Sequence, residues 1–185
     1  MKGLNKLGTV ITKILEVTHW IGSALMATAT VCSIVAPAWV QYFVGFDAKD
    51  CCGANLEVYG FEVIAPVVNG ETDMLAFILF GVVATVILAV MAMVFHNLYC
   101  ILKNSEKVTL FQKDNIRRMH RIGVLAIAVP VIGLIMSIVV RLVIGVETAE
   151  ISIDMGGFLM GIIVLCLTQF FVHGAELEED VDGLL

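Results

Sequence analysis

Charge is what this sequence lacks most. Lys, Arg, Asp and Glu make up 15% of the 185 residues, against roughly a quarter in a soluble domain. Hydrophobic residues make up 59%, and the mean hydropathy is +0.97. A water-soluble fold of this size cannot hide so much apolar surface, so lipid must cover it. Polar alternation is lacking too. An outer-membrane barrel shows segments of about ten residues that switch between apolar and polar, and the long apolar runs here do not. Backbone polar groups inside a bilayer must be satisfied locally, so each run is read as a helix. Proline is rare, and only Pro130 falls in the middle of a run, where it is expected to kink the helix.

A span needs about 20 mostly apolar residues to cross about 30 Å of hydrocarbon. Four stretches qualify, with spans expected at about 18–42, 74–100, 116–145 and 155–173. The expected fold is an all-α membrane protein, a single domain over 1–185, with its four transmembrane helices arranged as two αα-hairpins. Around them lie an outer cap at 45–72, a cytoplasmic loop at 101–115 and an acidic cytoplasmic tail at 174–185. The cap contains "LEVYGFEVIAPVV", rich in β-branched and aromatic residues around Gly60, which reads as a strand or small hairpin. "AEISID", before the last span, could pair with it.

Orientation follows from Lys and Arg. Lys2, Lys6 and Lys13 precede the first span, and Lys103, Lys107, Lys113, Arg117, Arg118 and Arg121 fill the middle connection. The other two connections carry only Lys49 among many acids. Both termini and the middle connection are therefore expected to face the cytoplasm. The net charge of −6 comes mostly from the outer loops and the tail, and gives no reason to expect direct nucleic-acid binding. Ala36-Pro37-Ala38 has the outline of a signal-peptide cleavage site, but the apolar stretch is too long and Pro37 directly precedes the terminal Ala. The segment is read as a retained span.

Two patterns recur. His19-Trp20-Ile21-Gly22 opens the first span and His120-Arg121-Ile122-Gly123 the third, while Asp-Met-x-x-Phe precedes the second at Asp73 and the fourth at Asp154. His96 and His173 close the second and fourth. Both halves start and return on one side, so a duplication would be parallel. Convergence at membrane interfaces would give the same look. Gly157 and Gly161, spaced as GxxxG, would let the fourth helix approach a neighbour closely.

Candidate chemistry is thin. Of five cysteines only the adjacent Cys51 and Cys52 face the expected oxidising side, as two exposed thiols or a redox switch. The four histidines, His19, His96, His120 and His173, all fall at the expected inner ends of spans. They are weak candidates for haem or metal ligands, because one depth would suit paired ligation. His19 follows Glu16 by three residues and His173 precedes Glu176 by three, spacings that share a helix face. Interfacial anchoring explains them as well, and Cys-x-x-Cys-His is absent. No metal or cofactor is expected. No ionisable residue lies at mid-span, Arg141 being deepest and expected to pair with Asp154 or an outer-loop acid. Asn97, Thr168 and Gln169 could bond between helices. No nucleophile–base pair or phosphate loop stands out, and an enzyme is not expected.

"FQKDNIRRMHRIG" and "GIIVLCLTQFFVHGAELEEDVD" resemble the YoaS-like family of small bacterial four-span membrane proteins. The shared positions are Phe111, Asn115, Arg117, Arg118, Ile122 and Gly123, then Phe171, Gly174 and Leu177, with Asp180 in place of a Glu. The resemblance covers the second half well and the first half by topology. It implies four spans, no catalytic residues, and genes that often lie beside a Cro/C1-type helix-turn-helix regulator. The expectation is a non-enzymatic sensing, regulatory or protective protein of the envelope. Its partners would be a cytoplasmic protein and, through the basic loop, anionic lipid; a homo-oligomer is open. The alternatives are a binder or transporter of a small or lipid-like ligand, and an electron carrier using the histidines.

Overall fold

The computed structural model describes residues 2–44, 54–65, 67–68, 71–105, 112–145, 148–149, 151 and 154–182. Helix α1 spans Lys2–Val35 and α2 spans Pro37–Val44. Strands β1 (Ala54–Val58), β2 (Phe61–Ala65), β3 (Val67–Val68) and β4 (Glu71–Thr72) follow, then α3 (Met74–Asn104), α4 (Lys113–Val143) and α5 (Met155–Asp182). α1, α3, α4 and α5 are long and apolar enough to cross a membrane. The protein is an all-α membrane protein with a small β element.

The helices outrun the expected spans. α1 begins at Lys2 rather than near residue 18, α4 begins at Lys113, and α5 carries the acidic tail as regular helix to Asp182. The reason is that a helix needs apolar surroundings only where it crosses lipid. Its flanks keep the same hydrogen-bond ladder in water or at the interface. α1 stops at Val35 because Pro37 has no amide proton to continue the ladder. Pro37 instead starts α2 at a first-turn position, where that loss costs nothing. α4 runs through Pro130 without leaving the helical state.

The recurring Asp-Met-x-x-Phe is a helix start. α3 and α5 both begin at the Met that follows the Asp. The Asp73 carboxylate accepts from the Leu75 amide at 2.9 Å, satisfying one of the donors a helix start leaves free. At α4, Thr109 or Asp114 could serve as cap by residue type. Thr109 lies outside the described residues, and Asp114 sits inside the first turn; it is the Gln112 carbonyl that receives the amides of Asn115 and Ile116, at 2.9 and 3.2 Å.

The described residues fall into two compact units. The first holds Met1–His19, Val90–Ala128 and Met155–Leu185; the second holds Trp20–Ala89 and Val129–Asp154. In the second, α1 meets α3 where Gly81 admits the Thr30 side chain, and Ser23 Oγ donates to the Thr85 carbonyl at 3.0 Å. The expected hairpin is present: β1 pairs antiparallel with β2, Val58 facing Phe61. Tyr59 and Gly60 turn it with φ of 48° and 77°, the paired left-handed geometry that suits a two-residue hairpin loop. Phe61 and Val63, on one face of β2, are fully buried, and Phe61 stacks on Phe80 of α3 at 5.9 Å. The Ile64 amide bonds the Thr148 carbonyl at 2.7 Å. That contact precedes "AEISID", of which residues 150, 152 and 153 lie outside the described set.

In the first unit, α1 packs on α3, with Asn5 Nδ2 donating to Ser105 Oγ at 3.2 Å and Gly8 facing Leu102. α4 and α5 meet at Gly123 and Gly161. A Cβ on Gly161 would lie 2.5 Å from Ile127 Cγ1 and 3.1 Å from the Gly123 carbonyl oxygen, so Gly161 of the GxxxG serves a contact inside the chain. The glycines of the two His-x-Ile-Gly motifs each face a leucine of a neighbouring helix, loosely at Gly22 and closely at Gly123. Gly22 faces Leu88 of α3 in the second unit, and Gly123 faces Leu165 of α5 in the first.

Candidate functional site

The polar groups of the first unit collect where α1, α3 and α4 carry their histidines. At the centre is Glu16 of α1, only 6% exposed. Its Oε1 accepts from Lys13 Nζ at 3.0 Å, one turn earlier on the same helix, and from His96 Nδ1 of α3 at 3.1 Å. Its Oε2 is buried with no hydrogen-bond partner among the described residues. A buried acceptor left open costs about 1–3 kcal/mol. The other side of the His96 ring faces Cys100, whose Sγ lies 3.7 Å from Nε2. The two residues are one helical turn apart on α3, which puts them on one face. Tyr99 accepts the cations of Lys13 and Lys103 over its ring, at 5.0 and 5.5 Å.

His96 also lines a cleft of about 560 Å³ between α3 and α4. Its rim is cationic and polar: His96 and Asn97 from α3, Arg118, His120 and Arg121 from α4. Its wall is apolar: Met93, one turn before His96, and Val124 and Leu125, one turn after Arg121. Arg118 and Arg121 are three apart and share a stripe of α4 with Asn115, three residues before Arg118. Asn115 is 3% exposed, and neither its amide nitrogen nor its oxygen has a partner among the described residues.

The sequence had paired Glu16 with His19. The structure pairs it with His96 instead, because α3 lies against α1 at this level. His19 Nδ1 is 2.7 Å from the Leu15 carbonyl, and its ring packs against Phe95 at 4.9 Å. His173 pairs with Glu176 at 3.1 Å as expected from their spacing, both being exposed. Of the four histidines only His96 and His120 share a surface, that of the cleft. Among the described residues no group of three or more His, Cys, Asp or Glu could hold a metal ion. Asn97 and Thr168 were expected to bond between helices, but each bonds the carbonyl four residues back, Met93 and Val164. A side chain that reaches its own helix satisfies itself without a neighbour. Arg141 lies in the last turn of α4, and Asp154 packs beside the Gly60 turn of the hairpin. Gly157 and Gly174 lie within α5. Arg117 is exposed on α4. Cys51, Cys52 and Phe111 lie outside the described residues; Cys32, Cys100 and Cys166 are free thiols.

Sequence reasoning named Glu16 only for its spacing to His19, whereas it sits inside α1 and is covered by α3. It gave Cys100 no role. The signal for it was the four-residue spacing to His96, and for Glu16 the three-residue spacing to Lys13. No protein-family model matches the chain, and no curated protein or solved structure does either.

Proposed function

We propose that this is a ligand-binding integral membrane protein of a sensing rather than catalytic kind, whose ligand is an anionic amphiphile held in the cleft between α3 and α4. One observation carries the reading: the cleft joins a rim with two cations, Arg118 and Arg121, beside His120, to an apolar wall, Met93, Val124 and Leu125. Its volume falls within the range of about 300–1,000 Å³ usual for small-molecule sites. A headgroup bearing phosphate or carboxylate fits the rim, Arg offering it a planar fork of donors. A hydrocarbon chain fits the wall. The positive-inside bias supports placing the rim at the cytoplasmic face, with both termini there, in a bacterial cytoplasmic membrane.

A sensor needs an output. α5 continues to Asp182 as an acidic helix, and Glu179 reaches Lys113 at the start of α4 at 3.5 Å with both side chains exposed. Exposed pairs of this kind are worth about 0–1 kcal/mol, so a cytoplasmic partner with a basic surface can displace it. That supports the role of a membrane component acting with a regulatory protein, as the YoaS-like motifs around Asn115 and Gly174 also suggest.

The test is binding in nanodiscs. Phosphatidylglycerol titrated into a phosphatidylcholine background should saturate one site. Arg118→Ala with Arg121→Ala should weaken it about 30-fold, taking about 1 kcal/mol for each cation near a membrane surface. Equal affinity of the double variant would refute the site.

A further inference from the structure

We propose that Cys100 is an S-acylation site of this protein: its thiol takes a fatty acyl group from an acyl thioester, with His96 as general base and Glu16 as the residue that positions the base. Three atoms in line carry the proposal. Cys100 Sγ is 3.7 Å from His96 Nε2, and Nδ1 of the same ring is 3.1 Å from Glu16 Oε1. A nucleophile beside a base, and the base held by a third group, is the arrangement by which thiols are activated on unrelated folds.

The hydrogen-bond roles fix the ring. Glu16 Oε1 already accepts from Lys13 Nζ, which can only donate, so the carboxylate takes the acceptor role toward His96 as well. Nδ1 therefore donates to Glu16, which leaves Nε2 as the ring nitrogen that faces the sulfur. Glu16 is held by burial, 6% exposed between α1 and α3, so the ring it anchors cannot easily turn away. The free cysteine itself is partly exposed, in the last two turns of α3. It stands next to Tyr99, the aromatic that carries the Lys13 and Lys103 cations. Aromatic and basic side chains together mark a membrane boundary, and a juxtamembrane cysteine is where S-acyl chains are attached. Cys32 and Cys166 are also free thiols.

The step balances without a redox partner. His96 Nε2 takes the proton from Sγ, and the thiolate attacks the thioester carbonyl carbon. A new carbon–sulfur bond forms to Cys100, the bond to the donor's sulfur breaks, and the departing thiolate takes the proton back from Nε2. The products are the S-acyl protein and a free thiol, and the acyl chain lies in the adjoining bilayer. Arg118 and Arg121 are not needed for this step, so the proposal stands apart from the anion-binding reading.

The experiment is incubation of the full chain in detergent micelles with an alkyne-bearing palmitoyl thioester of coenzyme A, followed by click detection, hydroxylamine release and peptide mapping. The expected result is a hydroxylamine-sensitive label on Cys100. Cys100→Ala, which leaves a small residue at a helix surface, should abolish that label and melt as the parent does. His96→Ala should slow labelling about 100-fold, within the range for a general base, and added imidazole should restore part of the rate, which no structural role would explain. Glu16→Gln should slow it about tenfold. Absence of label, label retained in Cys100→Ala, label spread evenly over the cysteines, or a rate indifferent to His96 would each overturn the proposal.

Discussion

Replacing Gly161 by Ala adds one methyl group where α5 meets α4, and the geometry sets both the sign and the size of the effect. The new Cβ would lie 2.5 Å from Ile127 Cγ1, 3.0 Å from the Ile127 amide nitrogen and 3.1 Å from the Gly123 carbonyl oxygen. Two of those three neighbours are backbone, and Ile is stiff at χ1, so no side-chain rotation relieves the contact. α5 must back away from α4. Overpacking of this kind costs about 1–3 kcal/mol, while Ala gains up to about 1 kcal/mol over Gly in helix propensity. The net expectation is a loss of about 1–2 kcal/mol. Gly22→Ala is the matched control. Its Cβ would lie 3.6 Å from Leu88 Cδ1, an ordinary contact, so the propensity gain stands alone and the variant should be equal to or up to about 1 kcal/mol more stable than the parent. Gly123→Ala should fall between them, because its nearest neighbours at 2.6 and 2.7 Å are the movable end of Leu165. Unfolding in mixed micelles, followed by circular dichroism, reads the order. A Gly161→Ala protein as stable as the parent, or a Gly22→Ala protein equally damaged, would refute the close approach of α4 and α5.

Three further outcomes are expected. Asp73→Ala removes the acceptor of the Leu75 amide and should cost about 1 kcal/mol in the same assay, with Asp73→Asn losing little. Phe61→Ala empties a fully buried site stacked on Phe80; it should cost about 3–5 kcal/mol and open the hairpin to protease, and an unchanged melt would mean the hairpin does not pack on α3. In intact cells a membrane-impermeant maleimide should reach Cys51, while Lys107→Cys, in a background without the other cysteines, should stay protected; the reverse pattern would invert the orientation.

The membrane helices were legible because lipid imposes one simple requirement, a long apolar run, which the sequence from Leu75 to Phe95 meets without interruption. The hairpin was legible too, since β-branched residues flank a glycine that can adopt the left-handed turn. Helix ends were harder. Lys2–Val17 and the tail after His173 are polar enough to resemble loops, yet they stay helical because nothing in them breaks the ladder before a proline or the end of the described residues. The site was hidden for another reason. Glu16 and His96 are 80 residues apart, and only the packing of α1 on α3 makes them neighbours. Spacing along one helix could suggest Glu16 with His19, or His96 with Cys100, but it could not join the two pairs.

The helices also divide their apolar surface unequally. In its most apolar stretch α3 has 44% of residues buried, against 17% for α1 and 11% for α5. The second and third figures describe sides left uncovered by the chain's own packing, and where such sides meet acyl chains they respond to how thick and how fluid those chains are. A change in lipid composition or growth temperature would therefore press first on α1 and α5, the helices that carry Glu16 and the acidic tail. Evolution of the two kinds of surface should differ as well: α1 and α5 can exchange one aliphatic residue for another freely along their outer sides, whereas α3 must keep its shapes.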